Sequence, residues 1–172
     1  MKSLPEQTVE QKALNTATLL FAGVAILMAL AYIDVSHMQT HGYLISLADI
    51  ADAYYGPGMS INTLIGLAHL HMLGLLSVFW VIGYIFVHST ISRGWRVFWS
   101  VLPFVAFLFD VAGWFLTHYF ENFVYLVIIG GGTFVTSLTV MILVSLYQMW
   151  VLPWRAQQKL PVGAEMAEEP RM

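Results

Sequence analysis

The 172-residue chain is 59% hydrophobic and only 10% charged, which excludes a soluble globular domain and predicts an integral membrane protein. It contains no cysteine, which excludes disulfides, thiolate-held clusters and covalently attached c-type haem. Any metal or cofactor must therefore be held by histidine, methionine, carboxylate or packing.

Four apolar stretches are each close to the roughly 20 residues that cross the hydrocarbon core of a bilayer. They predict an all-α fold, a transmembrane four-helix bundle in residues 1–155, with spans over 14–35, 66–87, 97–117 and 123–150. A polar cytoplasmic tail is expected over 156–172. The fourth stretch is longer than a span needs, so we expect it to tilt or to continue past the inner interface. The leader is polar and no cleavage pattern follows the first stretch, so we expect the first span to be retained.

The basic residues predict the orientation. All seven fall on one side of this topology: Lys2, Lys12, Arg93, Arg96, Arg155, Lys159 and Arg171. By the positive-inside rule both termini are cytoplasmic, and we expect a multi-pass protein of the bacterial inner membrane. The loop 36–65 and the turn 119–122 then face the outer, periplasmic side, with acidic but no basic residues.

The long outer loop has its own periodicity. Apolar residues recur at helical spacing at Leu44, Leu47, Ile50, Ala51 and Tyr54. This predicts a short amphipathic helix that lies on the outer, periplasmic surface of the membrane. A turn at residues 55–58 follows, after which Ser60 or Asn62 can cap the second span. The alternative is a loop that simply closes over the bundle.

Most histidines cluster at one depth. Five of the six fall where apolar segments meet the outer side: His37, His41, His69, His71 and His118. Histidine is the commonest metal ligand, so this clustering predicts a haem or metal site near the outer face. Asp34, His37 and His41 share one helical stripe and could bind a divalent metal, or one imidazole could bind a haem. The alternative is that they meet water. His88 stands alone on the inner side and is expected to be interfacial.

His69 and His71 open the second span. Two residues apart on a helix, they point about 200° away from each other, so both cannot face one cofactor. We expect one to be a ligand and the other to face the loop, a partner or a second site. Two interfacial histidines without a ligand role are the alternative.

The segment Ala68-His69-Leu70-His71-Met72-Leu73-Gly74 resembles the His-x-His/Leu-Gly helix start of membrane b-haem proteins related to haem-copper oxidases and nitric oxide reductases. The resemblance implies that His69 or His71 is an axial ligand to a low-spin haem b. It covers about 25 of the 172 residues, and the chain is far shorter than a full catalytic subunit of that superfamily. A second histidine pair for a binuclear centre is missing. The resemblance thus implies haem binding and does not imply oxygen reduction.

The third span carries a carboxyl group at membrane depth. Asp110, Trp114 and His118 share one helix face. A carboxylate in hydrocarbon costs on the order of 2.5–3.5 kcal/mol and marks a functional or interhelical contact. We expect Asp110 to be protonated, to act as a proton relay to a cofactor or quinone, or to bond a hydroxyl of Thr133, Thr136 or Ser137.

The fourth span contains Gly130, Gly131 and Gly132. Such small residues indicate that another helix backbone approaches closely or that a flat macrocycle lies against this face. The second alternative makes Gly131 and Gly132 cofactor contacts.

Three hypotheses for function follow. The first is a b-type cytochrome-like electron-transfer subunit with one haem b near the outer face. Its ligands would be His69 or His71 together with His118 or His37. It would link membrane quinol to an outer-side acceptor such as a cytochrome c within a respiratory complex, with Asp110 assisting proton transfer.

The second hypothesis is a non-haem copper or iron site. Its candidate ligands are Asp34, His37, His69 or His71, and His118, with Met38 or Met72 nearby. The third is a cofactor-free accessory or assembly subunit that contacts membrane lipid and other membrane or periplasmic subunits. Nucleic acid is not an expected partner, and the sequence leaves open whether the protein is an enzyme.

Overall fold

The computed structural model describes residues 2–158, and every element in this range is helical. The greater part of the predicted cytoplasmic tail, with Lys159 and Arg171, lies outside the described residues. The α-helices are α1 Val9–His41, α2 Leu47–Tyr54, α3 Ile61–Phe86, α4 Arg93–Tyr119, α5 Val124–Leu146 and α6 Leu152–Gln158. Short 3₁₀ turns occupy Leu4–Glu6 and Glu121–Phe123, and a π-helical turn, Tyr147–Val151, joins α5 to α6.

Four helical segments are long and apolar enough to cross a membrane. They are Val9–His41, Ile61–Phe86, Arg93–Tyr119 and Glu121–Ala156. Each predicted span falls on one of them, which confirms the multi-pass, four-helix architecture. The fourth has 36 residues and is therefore about 54 Å long, well beyond a hydrocarbon core of roughly 30 Å. We call the end with α2 the outer end and the opposite end the inner end, following the charge pattern.

Local capping chemistry sets the helix starts. Thr8 caps α1 by accepting the backbone N–H of Gln11, and Ser60 caps α3 by accepting that of Thr63. Of the two caps predicted for the second span, Ser60 is therefore the one used. At the other end of α1, Gly42 adopts a left-handed conformation with φ of 79°, which ends the helix without the penalty of a side chain.

Helices α4 and α5 form the packed centre of the fold. A Cβ at Gly130 would lie 2.6 Å from the backbone nitrogen of Asp110, and one at Gly113 would lie 2.8 Å from that of Val127. Only glycine permits these two close approaches. Close helix packing, one of the two alternatives for the glycine-rich stretch, thus occurs at Gly130.

Helix α1 packs loosely by comparison. Leu19 is its one buried residue, so most of its apolar side chains are left to lipid. It is held at the inner end, where the Trp150 indole N–H donates to the Thr16 hydroxyl at 2.8 Å. The preceding 3₁₀ turn inserts Leu4 into the core, and the Leu4 backbone N–H donates to the His88 carbonyl at 2.9 Å.

The π-helical turn precedes Pro153. Proline has no N–H to donate, and the N–H of Leu152 reaches back five residues to the Tyr147 carbonyl. The wider turn places Gln148 inside, where its Oε1 accepts the backbone N–H of Thr90 at 2.7 Å. This contact ties the turn between α3 and α4 to the end of α5.

The predicted amphipathic helix of the outer loop is confirmed as α2. It begins at Leu47, after a Ser46 cap, so Leu44 lies just before it. Its apolar face packs over the outer end of α4, with Ala51 only 3% exposed and Tyr54 half-buried. The helix therefore also closes over the bundle, which was the alternative description of this loop.

Candidate functional site at the outer end

Five side chains from three helices form one connected group, which we call the outer cluster: Tyr54, His71, Asp110, Trp114 and His118. Trp114 is at its centre. The indole ring stacks on Tyr54, with 6.1 Å between centroids and 7° between planes, and meets the His71 ring edge-on at 5.6 Å. Its Nε1–H donates to the Asp110 Oδ1 at 3.1 Å. The cluster thus joins α2, α3 and α4.

The two histidines of the cluster are held in the same way. The Nδ1 of His118 lies 3.1 Å from the carbonyl oxygen of Tyr54, and the Nδ1 of His71 lies 2.9 Å from that of Leu67. A carbonyl can only accept, so each Nδ1 must carry the hydrogen. In the neutral ring, Nε2 then keeps its lone pair. This arrangement orients an imidazole as a metal ligand.

The structure places His69 and His71 differently. Both side chains are exposed, but His71 contacts Trp114 whereas His69, on another side of α3, faces away from the cluster. Of the pair, His71 is therefore the histidine at the candidate site.

The hydrogen-bond partner of Asp110 differs from the expected hydroxyls. Asp110 is 6% exposed and accepts the Trp114 indole N–H, one turn later on its own helix. Ser137 instead donates to the Phe134 carbonyl at 2.7 Å. Of the three alternatives for Asp110, the bond from Thr133, Thr136 or Ser137 is therefore not seen, and the donor found is the indole one turn later on the same helix.

The two glycines predicted to contact a cofactor have separate surroundings. A Cβ at Gly131 would lie 3.6 Å from the Asp110 Oδ1, so this residue sits beside the carboxyl group. Gly132 has nothing within 4 Å of its Cβ position and is exposed. Together with Trp99 and Thr136, it lines a shallow groove of about 380 Å³ on the surface of α4 and α5.

Tyr54 is the cluster member that the sequence did not identify as functional. Burial, and then the nearby Asp110 carboxylate, raise the pKa of Tyr54 to about 12. Its hydroxyl therefore keeps its proton at neutral pH. In the sequence, Tyr54 was one of several residues on the apolar face of α2, and nothing local showed that it would stack on a tryptophan of another helix.

A second polar group lies at the junction of α1 and α2, and we call it the α1–α2 corner: His37, His41, Tyr43, Ser46 and Asp49. The His37 and His41 rings stack at 4.4 Å. His37 places Nδ1 3.0 Å from the Tyr43 carbonyl and Nε2 3.4 Å from the Asp49 Oδ1. Hydrogen bonds from Ser46, followed by the charge of His37, lower the pKa of Asp49 to about 2. His37 therefore joins the corner and not the outer cluster.

The predicted ligands do not meet at a single point. Within residues 2–158, no three His, Cys, Asp or Glu side chains are close enough together to hold a metal ion. His71 and His118 lie in the outer cluster, and His37 lies in the α1–α2 corner. Asp34 is half-buried on α1 and is part of neither group, and Met38 and Met72 are exposed.

The Aq_1264_TM family, described as a transmembrane helical domain, matches residues 45–158, which is 114 of the 172 residues. This chain belongs to the Aq_1264_TM family. The matched region runs from the start of the α2 cap to the end of α6 and so contains the whole outer cluster. Helix α1, with His37 and His41, precedes it. The curated proteins and the solved structures give no match.

Proposed function

We propose that the protein is a b-type cytochrome-like electron-transfer subunit in which His71 and His118 would hold the iron of one haem b at the outer end. One observation carries the proposal. His71 and His118 come from different helices of the outer cluster, and each has its Nδ1 on a backbone carbonyl, which leaves Nε2 for iron.

The donor set favours haem over a non-haem metal. A copper or iron ion without a macrocycle needs three or more protein ligands converging on it, and the described part of the chain offers no such group. A haem needs only two imidazoles. When bound, it supplies one-electron redox chemistry.

The remaining groups of the outer cluster suit a quinol reaction. Asp110 is a buried carboxyl group that can hold a proton, and the Trp114 indole orients it. The protonated hydroxyl of Tyr54 provides a donor at the same level. We propose that these groups bind and orient a quinol headgroup, and that Asp110, when ionised, would accept a proton from a quinol hydroxyl while Tyr54 keeps its own.

The charge of the outer end supports a soluble electron acceptor with a basic face, such as a cytochrome c. Its described loops carry Asp49, Asp52 and Glu121 and contain no lysine or arginine. Opposite charges of this kind speed the encounter between partners. We propose that the protein is part of a larger respiratory complex of the bacterial inner membrane, and the acidic outer end is consistent with this.

A second candidate function is a cofactor-free accessory subunit. His118 links α4 to α2 through the Tyr54 carbonyl, and the backbone N–H of Gly56 donates to the His118 carbonyl at 3.3 Å. Both bonds would stabilise the outer loop without any cofactor.

The decisive experiment is a reduced-minus-oxidised visible spectrum of the full chain in mild detergent, with pyridine haemochrome and metal analysis on the same sample. The proposal predicts one haem b per chain. The sharp α band should disappear in His71→Ala and in His118→Ala, and it should persist in the controls His69→Ala and His88→Ala. The thermal stability of each variant, measured as the amount of monodisperse protein that elutes in size-exclusion chromatography after heating, separates loss of haem from loss of fold.

Other outcomes redirect the assignment. Stoichiometric copper or iron without haem would favour the non-haem site. A folded, monodisperse protein that takes up neither metal nor added haemin would refute the cytochrome assignment and favour the accessory subunit. Loss of the α band in His69→Ala alone would show that α3 presents the other histidine.

A further inference from the structure

A cavity of about 390 Å³ lies at the inner end of the bundle, on the side opposite to the outer cluster. The N-terminal segment, the turn between α3 and α4, and the first turn of α4 line it, and it is open to the surface. Its polar lining includes Lys2, Ser3, His88, Thr90 and Arg96. The volume is within the range of small-molecule sites, roughly 300–1,000 Å³.

Three long-range or capping hydrogen bonds fix the walls of this cavity. The backbone N–H of Leu4 donates to the His88 carbonyl at 2.9 Å, which holds the N-terminal segment against the turn. Gln148 accepts the N–H of Thr90 from the other side. Arg96 Nη1 lies 3.1 Å from the Ser89 carbonyl. The cavity is therefore preorganised, which lowers the entropic cost of binding a ligand.

The lining is suited to an anion. Arg96 uses one guanidinium nitrogen, Nη1, on backbone carbonyls, and a guanidinium has five N–H donors, so several can still reach a ligand. The exposed ammonium of Lys2 stands at the same cavity. The carboxylate of Glu6, which attracts Lys2, already accepts hydrogen bonds from the hydroxyl and the backbone N–H of Ser3. Two permanent cations, Lys2 and Arg96, thus face a site beside which Glu6 is already hydrogen-bonded.

The position of the cavity indicates where the anion comes from. Arg93 and Trp95 begin α4 beside it, and both are exposed. Basic residues with tryptophan mark the inner membrane interface, where lipid phosphates lie. We propose that this cavity binds the phosphate of an anionic phospholipid headgroup, with Arg96 and Lys2 as its cationic partners. Basic pockets of this kind between transmembrane helices bind anionic headgroups.

The test uses native mass spectrometry of the full chain in mild detergent, titrated with phosphatidylglycerol, with phosphatidylcholine, or with inorganic phosphate. We expect one phosphatidylglycerol to be retained per chain and phosphatidylcholine to be retained at least tenfold less. Lys2→Gln and Arg96→Gln should each lower the retention of phosphatidylglycerol about tenfold. Arg93→Gln is the matched control, since it removes the same charge three residues from Arg96 without touching the cavity, and it should change retention less than twofold.

Arg96 also donates to the carbonyls of Val87 and Ser89 at the end of α3. The lipid retention of Arg96→Gln is therefore interpreted only if the thermal stability of this variant without lipid is close to that of the parent. Lys2→Gln carries the test if it is not. Equal loss of lipid in Arg93→Gln would overturn the site in favour of general surface charge. Saturable binding of inorganic phosphate without retention of phosphatidylglycerol would overturn the lipid as the source.

Discussion

Adding a single methyl group at Gly130 should destabilise the protein, whereas adding one two residues later should not. In Gly130→Ala the new Cβ would lie 2.6 Å from the backbone nitrogen of Asp110 and 2.9 Å from the carbonyl oxygen of Ala106. Ordinary contact begins near 3.4 Å, so α4 and α5 must separate by about 0.8 Å. Both obstacles are backbone atoms, which cannot rotate away.

The neighbouring glycines are matched controls. Gly132→Ala meets nothing within 4 Å, and Gly131→Ala meets only the Asp110 carboxyl group at an ordinary 3.6 Å. Replacing a mid-helix glycine by alanine stabilises a helix by about 1 kcal/mol, while overpacking costs about 1–3 kcal/mol. The helix term is common to both variants, so Gly130→Ala should be less stable than Gly132→Ala by the overpacking cost alone, about 1–3 kcal/mol, a difference in Tm of roughly 2–12 °C.

The assay is thermal unfolding of the three variants in one detergent, read from the amount of monodisperse protein after heating. All three changes are chemically identical and lie on consecutive residues, so effects of detergent and expression are shared. Equal Tm values for Gly130→Ala and Gly132→Ala would refute the packing of α4 on α5 at this register. The order Gly132→Ala, Gly131→Ala, Gly130→Ala, from most to least stable, would support it.

Three further outcomes are expected. Trp114→Phe leaves the buried Asp110 without its donor and should cost about 1–3 kcal/mol in the same thermal assay, most of which Asp110→Leu in that background should restore. Gln148→Leu removes the acceptor of the Thr90 N–H and should cost about 1 kcal/mol, while Gln148→Glu, which keeps an acceptor, should cost less. The folded pKa of Asp49 is lowered from 3.8 to about 2, so its contribution to the α2 cap is complete above pH 3.8 and is lost as the pH falls toward 2. Amide exchange of α2, corrected for the intrinsic pH dependence, should show this loosening, and Asp49→Ala should loosen α2 already at neutral pH.

The architecture could be predicted because it depends on composition along the chain. A span needs about 20 apolar residues whatever its neighbours are. The orientation drawn from the basic residues stays a prediction. Helix α2 could also be predicted from the sequence, since its periodicity and its Ser46 cap depend only on neighbouring residues. These features need no knowledge of which helices touch.

The candidate site depends on packing and was predicted only in part. Helical geometry showed that His69 and His71 must diverge, but the rotation of α3 against Trp114 decides which one faces the cluster. Tyr54 reaches the site through a contact with His118, 64 residues away in sequence. Among the alternatives for Asp110, a bond from a hydroxyl of α5 is not seen, and the donor found is the Trp114 indole on its own helix. The haem, quinone and respiratory partners stay predictions.

The loose attachment of α1 bears on the order in which the protein is assembled. Its anchoring bond joins Thr16 to Trp150, a separation of 134 residues. At a synthesis rate of about 5–20 residues per second, roughly 7–27 s pass between the emergence of these two residues. During that time α1 has the contacts of the α1–α2 corner and the bond from Leu4 to His88 but not its anchor at Trp150, whereas α4 and α5 can pair as soon as α5 is inserted. Helix α1 is therefore inserted well before the residue that anchors it at the inner end exists.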